Sequence, residues 1–151
     1  MIRLGKLTDY GTVLLTVMAG EAERVYTASE LAERSRIAAP TVAKLLKQLT
    51  RGGLVASARG AHGGYRLARE PARINVAEVV EVLEGPIALT ECAPQGGGCD
   101  LSRRCGARGN FRLIDQAIRQ ALQAVTLADM HQPPARAREW PLHLQPRSRG
   151  V

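Results

Sequence analysis

The stretch from Thr27 to Leu67 constrains the possible folds more than any other part of the sequence. In TASEL, Thr27 can cap a helix while Glu30 bonds back to it, the reciprocal arrangement called a capping box. After the short break RIAA, Pro40 stands where the first turn of a helix tolerates proline. The spacing therefore predicts two short helices joined by a tight turn.

A turn-rich segment follows the second of these helices. The apolar residues of that helix recur on one face, at Val42, Leu45, Leu46 and Leu49. Gly52 and Gly53 end the helix, and LVASA and YRLA are predicted to form short strands on either side of the glycine-rich tip RGAHGG. Helix, turn, helix and hairpin in this order is the layout of a winged helix-turn-helix, a fold that binds DNA.

The remaining predicted elements are helices. Aromatic residues make up only 3% of the chain, so Leu, Val, Ile and Ala must build the core, which favours packed helices. A first helix is predicted from about Leu4 to Ala19, with Gly20 as a left-handed cap. Asn75 with Glu78 predicts a second capping box at the start of another helix. The predicted fold class is mainly α with a small β-hairpin.

The balance of charge favours a phosphate-rich partner. With 21 Lys and Arg against 14 Asp and Glu, the net charge is +7 and the isoelectric point is about 10.0. The candidate DNA contacts lie on the helix that begins near Pro40, the third in the chain, opposite its apolar face. They are Thr41, Lys44, Lys47, Gln48 and Arg51. The cations suit phosphates, and Thr41 and Gln48 can also bond base edges. A solvated helix face is the alternative interpretation of this set.

The tip of the hairpin supplies two further candidate DNA contacts. Arg59 can enter a narrow minor groove, where negative potential is concentrated. His62 is expected to contact phosphate or to have no role, rather than to bind a metal ion. The small or absent side chains around these two residues allow the backbone to approach DNA closely.

All three cysteines, Cys92, Cys99 and Cys105, lie in one short stretch with the spacing C-x6-C-x5-C. Structural zinc usually takes closer cysteine pairs, whereas these wider intervals suit the bulkier iron–sulfur cluster. The glycines at 96–98 give the backbone freedom to surround such a centre. Free or purely structural thiols are the alternative. We expect no signal peptide and no membrane span, hence a cytoplasmic protein with reduced thiols.

These features together carry a family resemblance. The start KLTDYG, the segment PTVAKLLKQLTRGGLVASARGAHGGYRLAR, the helix INVAEVVEVLEG and three cysteines before a last long helix resemble the Rrf-type winged-helix transcriptional regulators. That family includes the IscR and NsrR repressors, and the similarity extends from Met1 to about Met130. Regulators of the SUF iron–sulfur assembly system, which begin with a similar LTDYG stretch, resemble the chain most.

The resemblance implies a homodimer on double-stranded DNA, in which each subunit presents its third helix and wing to half of a palindromic operator. The implied regions are a winged helix-turn-helix DNA-binding domain in 1–85, a cysteine-rich cluster-binding loop in 86–106, a dimerisation helix in 107–130 and a disordered basic tail in 131–151. The apolar seam of the long helix comprises Phe111, Ile114, Ile118, Leu122 and Val125. The seam is compatible with pairing against another helix, or with packing on its own domain.

The cluster implied by the resemblance is of the 2Fe–2S type, with 4Fe–4S as the alternative. Three thiolates do not complete its ligation, so another group must supply the last bond. Arg108 stands where IscR-like proteins have a histidine ligand, so that ligand does not carry over. By similarity to NsrR-like proteins, Asp9 of the partner subunit is a candidate. Asn110, Glu91 and a small exogenous ligand are the alternatives.

The function implied is that of an iron–sulfur, DNA-binding transcriptional repressor of SUF-type cluster-assembly genes that senses cluster status. No enzyme activity is expected, because the sequence has neither a nucleotide-binding glycine loop nor paired catalytic carboxylates. Three alternatives remain open. They are a redox-responsive or nitric-oxide-responsive repressor of other genes, a zinc-stabilised repressor, and an iron–sulfur electron-transfer protein.

Overall fold

A computed structural model describes residues 4–60, 63–90, 105–106 and 108–132. Within them lie helices α1 Lys6–Ala19, α2 Ala28–Ser35, α3 Ala39–Arg51, α4 Val76–Glu84, α5 Arg108–Gln123 and α6 Leu127–His131, and strands β1 Val55–Ala58 and β2 Gly64–Leu67. The predicted fold class is confirmed, because the structure is mainly helical with one two-stranded antiparallel hairpin. No helix in these ranges has both the length and the apolar character needed to cross a bilayer.

Aliphatic side chains form the core, as the low aromatic content predicts. Helix α1 packs against α2, α3, α4 and α6 and so lies at the centre of the domain. The side chains with no exposed surface include Leu14, Leu15, Met18, Leu31, Val42, Leu45, Leu46, Leu49, Ile74 and Leu127. Full burial of such a side chain contributes about 1.5–3 kcal/mol, so this cluster holds the helix-turn-helix together within one chain.

The start of α2 confirms half of the predicted capping box. The Thr27 hydroxyl accepts a hydrogen bond from the Glu30 N–H at 3.1 Å. The Glu30 carboxylate does not bond back to Thr27, and its oxygen lies 2.5 Å from Arg24 and 3.4 Å from Arg34. The reciprocal half of the prediction is therefore wrong, because two guanidinium groups are stronger partners for a carboxylate than a backbone N–H.

The predicted hairpin is confirmed, and its second strand is bonded to the segment that precedes α2. Its strands pair Val55 with Leu67 at the base. Tyr26, two residues before α2, exchanges two backbone hydrogen bonds of 2.8 Å with Tyr65. A side chain at Gly64 would place its Cβ 2.4 Å from the Tyr26 carbonyl oxygen. Glycine is required there because the two backbones lie so close together.

Gly20 does not form the predicted left-handed cap, since its φ is −64° and its ψ is −31°. The glycine is explained by space instead. A Cβ atom at this position would lie 2.8 Å from Cε1 of His131, the last residue of α6. The absence of a side chain at Gly20 therefore allows the end of α6 to approach the end of α1.

The segment 107–130, expected to be one long helix, contains two. Helix α5 ends at Gln123, and α6 begins at Leu127 behind a new N-cap. The Thr126 hydroxyl accepts from the Asp129 N–H at 3.2 Å, and the Asp129 carboxylate accepts from the Thr126 N–H at 3.0 Å. This capping box starts a new helix, because the N-cap residue has an extended backbone that interrupts the previous one.

The break between α5 and α6 fixes the end of α5 to the start of α4. The Val76 N–H donates to the Val125 carbonyl, and the Leu127 N–H donates to the Ile74 carbonyl, both at 2.9 Å. Between these bonds Asn75 forms the second predicted capping box with Glu78, which is confirmed in both directions. The C-terminal end of α5 is thus tied to the main domain through backbone bonds.

Candidate nucleic-acid interface and metal centre

The turn between α2 and α3 is compact because one residue in it is left-handed. Arg36 has a φ of 56° and a ψ of 29°, which ends α2 and reverses the chain. Ile37, next along, is 7% exposed and inserts into the core. Pro40 then lies in the first turn of α3, as predicted. The orientation of α3 relative to α2 is therefore set by a buried side chain inside the turn.

Helix α3 separates buried leucines from exposed cations. Lys44, Lys47 and Arg51 are all exposed, and they follow one another at intervals of three and four residues on one face. Within the part of the chain that the structure describes, none of the three makes an ion pair. Their charges are available to phosphates, which attract cations of this kind without regard to sequence.

The two polar candidates on α3 are less accessible than its cations. Thr41 and Gln48 are both half-buried. The Gln48 Oε1 atom is shielded from solvent and has no hydrogen-bond partner among the described residues. Its predicted contact with a base edge therefore requires the Gln48 side chain to rotate outward.

The wing carries one predicted cation and one that the sequence interpretation missed. Arg59 is exposed beside Gly60, whose φ of 120° forms the tip. Arg66 is also exposed, on β2 between Tyr65 and the buried Leu67. The alternation of burial along a strand is the signal that could have identified Arg66. His62, the other predicted residue of the tip, lies outside the described residues.

The excess positive charge of the chain is concentrated in the helix-turn-helix and wing. Between Glu33 and Glu70 the sequence has eight Lys and Arg residues and no Asp or Glu. The remainder of the chain has 13 Lys and Arg residues against 14 Asp and Glu residues, so this segment accounts for the whole formal excess of positive charge. A single-sign segment that includes an exposed helix face and a hairpin is the electrostatic pattern of a nucleic-acid interface.

The predicted cluster ligands are only partly within the described residues. Cys105 is a half-buried free thiol three residues before α5. Cys92 and Cys99 lie outside the described residues, and so does Glu91. Cys105 is therefore the one predicted thiolate ligand that the structure describes, and it lies close in sequence to the start of a helix.

Asp9 is an exposed carboxylate in the first turn of α1. The start of α1 is fixed to the end of α4, because the Gly5 N–H donates to the Glu84 carboxylate at 2.5 Å. Helix α4 leads directly into the cysteine segment. Asn110, a further candidate ligand, is exposed on α5. The two candidate oxygen ligands that the structure describes, Asp9 and Asn110, are thus on helices.

The apolar seam of the long helix is divided along its length. Phe111 is 38% exposed and Ile114 is 45% exposed, and the neighbouring Leu113 is 54% exposed. Ile118 and Leu122, further along, are half-buried. The first half of α5 therefore presents an apolar face that the described part of the chain leaves exposed.

This combination of winged helix-turn-helix, cysteine segment and long helix matches one family. A family model described as Rrf2, iron-dependent transcriptional regulator, matches residues 4–133. That range contains every element of the fold. The chain belongs to the Rrf2 family.

Relatives of this Rrf2 protein cover most of its length. Protein aau3 of Rhizobium meliloti (strain 1021) is 34% identical over 130 residues, which are 85% of this chain and 84% of the relative. The HTH-type transcriptional regulator NsrR of Shouchella clausii (strain KSM-K16) is 30% identical over 131 residues, 85% of this chain and 88% of the relative. The solved structure of T. potens IscR is 29% identical, with a TM-score of 0.65 and coverage of 85% of each chain.

Membership of the Rrf2 family indicates the general function of a protein with this fold. The family consists of transcription regulators rather than enzymes, and its winged helix binds DNA. The protein is therefore a DNA-binding transcription regulator.

Proposed function

We propose that this Rrf2 protein is a homodimeric repressor that carries an iron–sulfur cluster and controls SUF-type genes for cluster assembly. The observation that carries its DNA-binding part is the single-sign segment between Glu33 and Glu70. The cysteine spacing and the relatives named NsrR and IscR support the cluster. The LTDYG start supports the assignment to SUF-type genes.

In this proposal residues 1–85 form the DNA-binding domain. Lys44, Lys47 and Arg51 contact phosphates along the major groove, and Arg59 enters the minor groove. Thr41 and Gln48 contact base edges, and His62 contacts phosphate. The exposure of the cations and the absence of acidic residues around them support these roles.

The cysteine-rich loop, residues 86–106, holds the cluster, which is of the 2Fe–2S type with 4Fe–4S as the alternative. Cys92, Cys99 and Cys105 supply thiolates, and Asp9 of the partner subunit supplies the remaining ligand. Three thiolates and one carboxylate fit an iron–sulfur centre, because thiolates hold the iron and an oxygen ligand leaves one iron exchangeable. The bound cluster supplies a centre that oxidants, nitric oxide or iron shortage can alter.

Dimerisation uses the region 107–130, of which α5 is the principal part. The exposed Phe111, Leu113 and Ile114 give this helix the apolar face that a partner helix requires. Two copies related by a two-fold axis present two α3 helices to a palindromic operator, because the symmetry of the site mirrors that of the dimer. A cluster next to α5 then changes the spacing of the two α3 helices. Coupling of about 1–3 kcal/mol shifts affinity several-fold to about a hundredfold.

The test begins with full-length protein purified without air. We expect visible absorbance with bound iron and sulfide in the wild type, and neither in Cys99→Ser. Both forms of the wild type are then titrated with duplexes that the protein selects from a random library, against an unselected duplex of equal length. The expected specificity ratio is about 10³ or more. A colourless wild-type protein free of iron and sulfide would overturn the proposal.

The same samples separate the alternatives. Bound zinc in place of iron identifies a zinc-stabilised repressor. An iron–sulfur protein with equal affinity for selected and random duplexes is an electron carrier. Selected sites upstream of genes other than those of cluster assembly, together with release from DNA on exposure to nitric oxide or oxidant, identify the redox-responsive repressor.

A further inference from the structure

Asp115 on α5 is a buried carboxylate that neither the fold nor the proposed ligands explain. It is 9% exposed and lies seven residues into the helix. Its Oδ1 atom accepts a hydrogen bond from the Leu89 N–H at 2.8 Å. Its Oδ2 atom is shielded from solvent and has no hydrogen-bond partner among the described residues.

A carboxylate in this position is a poor choice for stability alone. Burial of a carboxylate costs free energy unless its oxygens are bonded, and among the described residues only one of these oxygens has a donor. The surface of α5 that faces the domain also carries Ile118 and Leu122, which are half-buried, and Arg119, which pairs with Glu81 of α4. The hydrogen bond from the Leu89 N–H offsets part of this cost, and its effect depends on what it holds in place.

That bond joins α5 to the beginning of the cysteine segment. Leu89 lies three residues before Cys92, and 26 residues separate it from Asp115. The other end of the segment is fixed covalently, because Cys105 lies three residues before Arg108, where α5 begins. Both ends of the stretch that contains the three cysteines are therefore anchored to the same helix.

We propose that Asp115 is a positioning residue that restricts the cysteine segment before the cluster binds. This inference rests on the proposed function, because it concerns the same cluster. An unanchored segment loses conformational entropy when its thiolates converge, and a segment already fixed at Leu89 loses less. The anchor acts through the acceptor atom Oδ1. An amide oxygen at the same place can therefore replace the carboxylate.

Three variants of the full chain test the proposal. Asp115→Ala removes the acceptor, and Asp115→Asn keeps it. Glu81→Gln is the control, because Glu81 pairs with Arg119 on the same face of α5 without contact to Leu89. Each protein is purified without air, its iron and sulfide are measured, and the visible absorbance is followed after addition of a ferrous chelator. We expect about tenfold faster loss in Asp115→Ala, the effect of one hydrogen bond to a charged group.

Asp115→Asn and Glu81→Gln should lose absorbance at rates close to that of the wild type. Thermal unfolding of the apo proteins should show that Asp115→Ala is folded. If that variant does not fold, hydrogen exchange at the Leu89 amide of the wild-type protein takes its place. Slow exchange in the apo protein supports the anchor, and exchange at the rate of an unprotected amide overturns it.

The failures of the two proposals are distinguishable. A wild type without iron and sulfide removes the proposed function and this inference with it. If the wild type holds a cluster and Asp115→Ala loses it as slowly as the wild type does, only the inference is overturned. Equally fast loss in Asp115→Asn and Asp115→Ala also overturns it, because the acceptor atom would then not be the feature that matters.

Discussion

Helix α3 buries Val42, Leu45 and Leu46 completely inside its own chain, whereas the first half of α5 leaves Leu113 and Ile114 about half exposed. The two helices are similar in length and both are amphipathic, so the difference lies in what covers their apolar faces. The helix-turn-helix is complete within one subunit. The first half of α5 leaves apolar side chains exposed, and this contrast distinguishes a folding unit from the proposed dimer interface.

The charged side chains show the reverse contrast, because those of α3 are unpaired among the described residues and two of those on α5 are bonded within the chain. Lys44 and Lys47 on α3 make no ion pair within the described ranges, and their charges face outward. On α5, Asp115 bonds to Leu89 and Arg119 pairs with Glu81 of α4. One region therefore presents polar groups to a partner, and the other uses them to hold its own chain in place.

The largest expected effect comes from a matched pair of leucine truncations. Leu46→Ala should lower the free energy of unfolding by about 2–5 kcal/mol, because it leaves a cavity at a site with no exposed surface. Leu113→Ala should change the free energy of unfolding by no more than about 0.5 kcal/mol, since its side chain is 54% exposed. Urea denaturation at low protein concentration measures both.

The same pair tests assembly. Leu113→Ala should shift the monomer–dimer equilibrium toward monomer in analytical ultracentrifugation, whereas wild-type protein should remain dimeric at the same concentration. An equal loss of unfolding free energy in both variants would contradict the comparison, because α5 would then be part of the folding unit.

An intermediate effect is expected for DNA affinity. Lys44→Ala and Arg59→Ala should each weaken binding to the selected duplex about tenfold and lower the salt dependence by about one charge. The weakening should be largest in whichever form, with or without the cluster, binds the operator more tightly, because the proposed change in the spacing of the α3 helices disturbs these contacts in the other form. Fluorescence anisotropy at several salt concentrations measures both quantities.

Arg112→Ala, which removes an exposed cation of α5, is the control for these two variants and should bind with wild-type affinity. If Lys44→Ala and Arg59→Ala both retain full affinity, the docking of α3 and the wing is wrong. An equal weakening with and without the cluster would show that the cluster does not act through these contacts.

The smallest effect concerns Tyr26 at the base of the wing. Burial raises the pKa of Tyr26 above its ordinary value, although Arg24 and Arg34 lie 5.0 and 5.4 Å from its ring. In the unfolded chain the phenol loses its proton near pH 10, whereas in the folded chain it keeps that proton to a higher pH. The stability associated with the neutral phenol is thus present below about pH 10 and is lost as pH rises through the raised pKa.

Tyr26→Phe should therefore reduce the fall of unfolding free energy above about pH 10. Near pH 7 the substitution should leave the free energy of unfolding unchanged or raise it by up to about 1 kcal/mol, because the buried Tyr26 hydroxyl has no hydrogen-bond partner among the described residues. Tyr10→Phe on α1 is the control and should retain the alkaline loss. Urea titrations across the alkaline range would show an unchanged slope in Tyr26→Phe if the burial has no such consequence.

Local signals in the sequence predict much of the helix-turn-helix. The Asn75 box, the proline at the start of α3 and the glycines that end it each act within a few residues, so the pattern and the structure agree. The failures have two causes. Glu30 has competing partners, Arg24 and Arg34, which it bonds to instead of Thr27. Gly20 makes room for His131, which is distant in sequence and is contained in no short-range rule.

The candidate site divides in the same way. The amphipathic pattern predicts the exposed cations of α3, but it does not predict that the Oε1 atom of Gln48 is buried. The continuous apolar seam predicted one helix over 107–130, whereas the capping box at Thr126 ends that continuity. The bond from Leu89 to Asp115 spans 26 residues and has no signature in the sequence.

The backbone bonds that join Val125 to Val76, together with the pairing of Arg119 with Glu81, make the C-terminal part of α5 a pivot. From Arg119 back to Arg108 the helix forms a rigid arm of about 17 Å. A tilt of about ten degrees at the pivot would carry the far end of that arm, beside Cys105, through about 3 Å. A shift in the position of Cys105 and a tilt of α5 about its C-terminal end are thus geometrically linked.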